Sequence, residues 1–252
     1  MIILLLGSSG QVGFELQRTL APLGTVEAPV RGELELMNES AVDKYLVGTG
    51  PELIINAAAW TNVDAAEEKH AEAERLNAGL PAQLAAYAKK NGIRLVHFSS
   101  DYIYSGSGHN PWLETSPAGP LSVYGKTKLA GDQAIEQSGA NYLIFRTSWV
   151  YSARGNNFIK TMLRLGSSNK ELNIVADQIG APTQARLIAQ ITTQAINNKL
   201  KGGLYHLVSR GETSWHGFAQ KIFEIARKAG EELSMGQENV LPILTTDYPT
   251  PA

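Results

Sequence analysis

The sequence predicts an α/β fold: a doubly wound parallel sheet followed by a smaller C-terminal domain. Three observations predict it. Candidate strands and helices alternate as far as residue 150. The first candidate strand is a short, unbroken apolar run, as in strands covered on both faces, rather than alternating apolar and polar. After Thr147 the texture changes to short elements separated by polar loops. Alternation of this kind implies βαβ units and hence a parallel sheet.

Ile2–Leu6 is wholly apolar and runs straight into Gly7, so it reads as a first buried strand rather than a signal peptide. From Gln11 to Leu23, Val12, Leu16, Leu20 and Leu23 recur at helical spacing. Thr25–Val30 is a second strand and Leu53–Ala57 a third. Glu72–Asn91 is rich in Ala, Leu, Lys and Glu and stops at Gly92, the pattern of a long helix with a glycine C-cap. Leu95–Ser99 is a fourth strand, Tyr124–Gly139 a helix and Tyr142–Arg146 a fifth strand. Beyond them lie candidate elements at Asn157–Gly166, Leu172–Val175, Leu187–Asn198, Leu204–Val208 and Trp215–Ala229. The expected division is therefore a dinucleotide-binding domain over 1–150 and a mainly substrate-binding domain over 151–252. The segment 187–198 is expected to return to the sheet.

Composition narrows the function classes. The 252 residues are 43% hydrophobic, enough for a sizeable core, and the formal net charge is only -2. Neither nucleic acid nor a membrane surface is an expected partner of so neutral a chain. With no cysteine, disulfides and thiolate chemistry are excluded. No run is long and apolar enough for a membrane span, so a cytoplasmic location is expected.

Gly7-Ser8-Ser9-Gly10-Gln11-Val12-Gly13 lies between the first strand and the first helix. Glycines there permit a tight turn and the close approach of a pyrophosphate, which the helix N-terminus attracts. Position, more than the glycines themselves, makes Gly7, Gly10, Gln11, Val12 and Gly13 a cofactor cradle in a Rossmann-like fold. After the second strand stands Arg31, with no carboxylate before Glu33. A cation in that place favours the extra phosphate of NADPH, with NADH still admitted. Tyr124 and Lys128 are four residues apart on one helix face. An ammonium beside a phenol lowers its pKa and makes it a usable acid. Ser100 ends the fourth strand, where ligands bind in such sheets, with Ser99 beside it. Ser100, Tyr124 and Lys128 are thus the expected catalytic residues, and Asn56-Ala57-Ala58-Ala59 leaves room for a cofactor backbone.

Taken together these segments resemble the extended short-chain dehydrogenase/reductase family. The more specific stretches are Ser99-Ser100-Asp101-Tyr102-Ile103-Tyr104, Arg146-Thr147-Ser148-Trp149-Val150-Tyr151, Asn156-Asn157-Phe158 and Asp177-Gln178-Ile179-Gly180-Ala181-Pro182-Thr183. The resemblance implies reduction by NAD(P)H of the C4 keto group of a nucleotide-activated sugar. It makes Tyr124 the proton donor, with Lys128 on the ribose and Ser100 polarising the carbonyl. It assigns Ser100, Asp101, Tyr124 and Trp149 to the substrate. Glu35 and Leu36 fall at the adenine, Ala59, Trp60 and Thr61 at the middle of the cofactor, and Ser99, Tyr124 and Lys128 also on the cofactor side.

Some members dimerise through magnesium held by glutamates. Glu15 matches one, but Arg186 stands where a second is expected, and an arginine cannot ligate a cation. No metal ligand is therefore expected, magnesium is doubtful, and a homodimer is admitted without it. Family chains continue past Tyr248-Pro249-Thr250-Pro251-Ala252 into a basic segment and a helix. The rival readings are a nucleotide-sugar epimerase or dehydratase and a non-catalytic NADP-binding regulatory subunit. A dehydratase would show an extra carboxylate where Tyr102 follows Asp101.

Overall fold

The computed structural model describes residues 1–248, 250 and 251. Along the chain run β1 (Ile2–Leu6), α1 (Gln11–Leu20), β2 (Thr25–Glu27), α2 (Glu39–Thr49), β3 (Leu53–Asn56), α3 (Val63–Ala66), α4 (His70–Glu74), α5 (Leu80–Asn91), β4 (Arg94–Ser100), α6 (Val123–Gln137) and β5 (Asn141–Thr147). Then follow β6 (Val150–Tyr151), α7 (Phe158–Ser168), β7 (Leu172–Val175), β8 (Ile179–Gly180), β9 (Thr183–Gln184), α8 (Ala185–Asn197), β10 (Gly203–His206), β11 (Thr213–Ser214), α9 (Trp215–Lys228) and β12 (Val240–Ile243).

Six strands form one sheet in the order β10-β5-β4-β3-β1-β2, every pair parallel. Among its inner strands β3 is buried throughout, and β1, β4 and β5 are buried except at their starts, because helices cover both faces. Leu4, Leu6, Ile54, Leu95 and Ile144 from the sheet pack with Val42 and Leu46 of α2 and Leu80, Leu84 and Ala88 of α5.

Two features depart from the expected elements. The helix expected over 72–91 begins earlier, at His70, and contains a π-helical turn at Arg75–Gly79 between α4 and α5. α2 was not among the expected elements; only Val42 and Leu46 of it are buried. Its ends are nonetheless well defined, with Asn38 accepting from the Ala41 N–H and Gly50 in the left-handed conformation at φ 58°.

The chain divides into two compact units. The first holds Met1–Thr147, Arg186–Leu207 and Pro251, so both most of α8 and strand β10 belong with the sheet. The second holds Ser148–Ala185 and the described part of Val208–Thr250. Its core is Met162 of α7, Ala219, Ile222 and Phe223 of α9, and Met235 and Val240. Gly166 lets α7 approach closely, since a Cβ there would come within 2.5 Å of the Phe223 ring. Among the described residues no helix is long and apolar enough to cross a membrane.

Candidate active site

The turn after β1 needs its glycines. Gly7 has φ 79°, and a Cβ there would lie 2.5 Å from the backbone of Ala57 and Ala58. A Cβ on Gly13 would lie 2.1 Å from the Gly7 carbonyl oxygen. α1 starts at N-cap Gly10, which has no side chain to cap the helix, and Gln11 and Val12 form its first turn. The result is a backbone cradle that fits a pyrophosphate at a helix N-terminus.

Past β2, Arg31 projects into solvent and pairs with Glu35 at 3.3 Å. Glu35 also accepts from the Met37 N–H at 3.1 Å, while Leu36 packs against the core. Between β3 and α3 run Ala59, Trp60 and Thr61. The backbone of Trp60 is clamped by one side chain of the π-helical turn: Asn77 Oδ1 accepts from the Trp60 N–H at 2.9 Å and Asn77 Nδ2 donates to the Trp60 carbonyl at 3.1 Å. The same Nδ2 lies 3.2 Å from Thr127 Oγ1 on α6. The π-helical turn therefore positions both the loop and α6, a task no helical periodicity would announce.

Tyr124 and Ser100 come together at the end of β4, while the Lys128 ammonium turns to the Phe98 carbonyl and His97. Ser122 caps α6 by accepting from the Gly125 N–H, and a Cβ on Gly125 would lie 2.3 Å from the Tyr102 carbonyl oxygen. That close approach brings the start of α6 against the turn after β4. The Ser100 hydroxyl lies near the Tyr124 phenol, donates to Asp101 Oδ1 at 3.1 Å and accepts from the Tyr102 N–H at 3.2 Å. The Tyr102 ring stands edge-on to Tyr124, at 82° and 5.4 Å between centroids. Apolar side chains of Trp60, Val63, Ala66 and Ala73 pack around Tyr124.

Burial dominates the electrostatics here. It pushes the Tyr124 phenol well above its ordinary pKa; the Ser100 hydrogen bond opposes this and the Asp101 charge adds to it. The expected lowering of Tyr124 by Lys128 is not what governs the phenol in this structure. Lys128, 1% exposed, instead donates to the Phe98 carbonyl at 2.7 Å and stands 3.2 Å from His97 Nε2. Burial lowers its pKa to about 8, with Asp132 acting in the opposite sense. Asp101 is raised to about 6 by burial, against the hydrogen bond from Ser100.

Ser99, read with the cofactor contacts, has its side chain committed elsewhere: it donates to Asp132 Oδ2 at 2.9 Å, deep beneath the site. Arg146 Nε pairs with the same oxygen at 3.1 Å, and its Nη1 donates to the Tyr104 hydroxyl at 2.9 Å. Asn77, His97 and Asp132 were not picked out from the sequence. The one available signal was polarity out of place: His97 interrupts the apolar run of β4.

Trp149 belongs to the second unit. It holds φ 46°, unusual for a non-glycine residue, and stacks on Trp215 at 3.5 Å and 12°. Gly180 admits its ring, since a Cβ there would come within 2.5 Å. At the place where a magnesium ligand was considered, Glu15 is paired with both Arg18 and Arg186, the latter at 3.3 Å. Two guanidiniums on one carboxylate do not fit a cation site. Among the described residues no cluster of His, Asp or Glu could hold a metal ion.

The family model described as "RmlD substrate binding domain" matches residues 1–252. The dTDP-4-dehydrorhamnose reductase of Escherichia coli K12 is 47% identical over 100% of this chain and 86% of its own length. The spore coat polysaccharide biosynthesis protein SpsK of Bacillus subtilis is 34% identical, over 98% and 84%. Among solved structures, the dTDP-4-dehydrorhamnose reductase of Bacillus anthracis in complex with NADP superposes with a TM-score of 0.90 at 34% identity, covering 100% of this chain and 86% of that one.

Proposed function

Since the chain belongs to the RmlD substrate binding domain family, we propose that it reduces the C4 keto group of dTDP-4-dehydro-L-rhamnose to give dTDP-L-rhamnose, with NADPH as the preferred reductant. The observation that carries this reading is the meeting of the Ser100 hydroxyl with the Tyr124 phenol beside a glycine cradle shaped for a dinucleotide. The cofactor would rest on Gly7, Gly10, Gln11, Val12 and Gly13, with Arg31 toward the adenosine phosphate and Lys128 toward the ribose. Glu35 and Leu36 would line the adenine, and Ala59, Trp60 and Thr61 the middle of the cofactor. When bound it supplies hydride to the carbonyl carbon.

The chain's own part is to hold and protonate the oxygen. Ser100 donates a hydrogen bond to the carbonyl, favouring the charge that develops there. Tyr124 delivers its proton to that oxygen. The raised pKa of the buried phenol keeps it protonated until an alkoxide forms, and an alkoxide is basic enough to take the proton. Asp101 and Trp149 would contact the sugar. A dehydratase needs a further carboxylate, and Tyr102 occupies that place. The enzyme would work in the cytoplasm.

The experiment is label transfer from NADPH deuterated at the reactive carbon. The expected result is one deuterium at C4 of the product sugar for each cofactor oxidised. Label elsewhere, or product without net oxidation as in an epimerase, overturns the reading.

A further inference from the structure

Beneath the site lies a buried row of polar groups: the Ala58 N–H, Asn56, His97 and Lys128. Asn56 is 1% exposed and His97 is fully buried. Asn56 Oδ1 accepts from the Ala58 N–H at 3.2 Å. A backbone N–H can only donate, so the oxygen must face it and the NH2 end must face His97. Asn56 Nδ2 stands 3.2 Å from His97 Nδ1. An NH2 group also only donates, so His97 Nδ1 must carry the lone pair. A neutral imidazole then holds its one proton on Nε2, and Nε2 faces Lys128 Nζ at 3.2 Å. Burial keeps His97 neutral by lowering its pKa well below the usual value, helped by the nearby Lys128.

We propose that Asn56 and His97 form a positioning pair that locks the imidazole tautomer and thereby sets the protonation state of Lys128. An N–H aimed at an ammonium is repulsive, whereas an N–H aimed at an amine is a hydrogen bond. The pair therefore favours the uncharged lysine and brings its titration down toward the pH at which the enzyme works. Other titratable and charged groups lie on the elements packed around Lys128. α6 itself contributes Asp132 and Tyr124, β5 Arg146, β4 His97, and the turn after β4 Asp101. α3 and α4 face this end of α6 with Ala66 and Ala73 and with the carboxylate of Glu67, which accepts from the Val123 N–H at 2.7 Å, and the π-helical turn and α5 with Asn77 and Pro81. Asp132 favours the charged lysine and Arg146 is already paired with it. The Phe98 carbonyl accepts from Lys128 Nζ at 2.7 Å in either protonation state, so the Asn56–His97 pair is the partner whose own proton position decides between amine and ammonium.

Asn56→Asp tests this with almost no change of shape. One carboxylate oxygen still accepts from Ala58 while the other now accepts from Nδ1–H, inverting the tautomer so that Nε2 accepts from the ammonium. The alkaline limb of NADPH affinity against pH, followed by fluorescence, is expected to move up by about one unit. Nitrogen NMR of the protein is expected to show Nε2–H at His97 in the wild type and Nδ1–H in the variant. A new negative charge could act through space without the imidazole, so the change is repeated on His97→Leu. There it should move the limb by no more than a few tenths of a unit. An equal shift in both backgrounds, or Nδ1–H in the wild type, overturns the proposal. Cofactor affinity and nitrogen shifts need no sugar substrate. A protein that binds NADPH as described but fails to reduce the proposed sugar would therefore sink the functional reading and leave this one standing.

Discussion

Burial acts in opposite senses on the ionisable side chains around Ser100, because it disfavours whichever form is charged. Asp101 rises to about 6 and Lys128 falls to about 8. For Asp101 the folded pKa lies above the unfolded one, so its contribution to stability is fully present below pH 4 and is lost as pH rises through about 6. Asp101→Asn should therefore gain on the wild type by about 2 kcal/mol between pH 4 and pH 7.5. Urea unfolding at the two pH values measures this; an equal difference at both would contradict it. Arg31 makes a single exposed ion pair, so Arg31→Ala should leave the fold intact. It should raise KM for NADPH by about 10-fold, with little change for NADH. The placement of Ser100 at a strand end and of Tyr124 and Lys128 on one helix was legible in the sequence because strand ends and helix spacing are local properties. His97 and Asp132 were not, because their roles depend on which groups the sheet and α6 press against them.

At the scale of elements, close backbone approach does what side-chain recognition cannot. A Cβ on Gly131 would lie 2.0 Å from the Asn77 carbonyl oxygen, so α6 packs on the π-helical turn with no space to spare. Gly131→Ala should destabilise the protein by about 1–3 kcal/mol and loosen the Asn77 clamp on Trp60, lowering cofactor affinity as well. Thermal unfolding and NADPH titration check the two effects. Gly13→Ala, which would press on the Gly7 carbonyl, should abolish measurable NADPH binding. The buried strands and long helices were readable because their apolar patterns are continuous. The π-helical turn was not: one extra residue per turn leaves an alanine-rich helix looking uniform. β12 was also missed, since it pairs only with β7 and is just four residues long.

For the whole molecule, the alternation of strands and helices sufficed to predict the parallel sheet. It gave an element at Leu204–Val208 but not its place beside β5, because four half-buried residues, Gly203–His206, do not say which sheet edge they join. The net charge near zero suits an enzyme whose recognition is local, built from one glycine cradle and a few aimed hydroxyls. The account's central claim is that the Tyr124 phenol protonates the sugar oxygen, and the direct measurement is substrate-dependent NADPH oxidation by wild type and Tyr124→Phe. With dTDP-4-dehydro-L-rhamnose, the wild type should consume NADPH steadily. The variant should bind NADPH equally well yet turn over at least about 100-fold more slowly. Turnover by the variant within a few-fold of the wild type would contradict the claim.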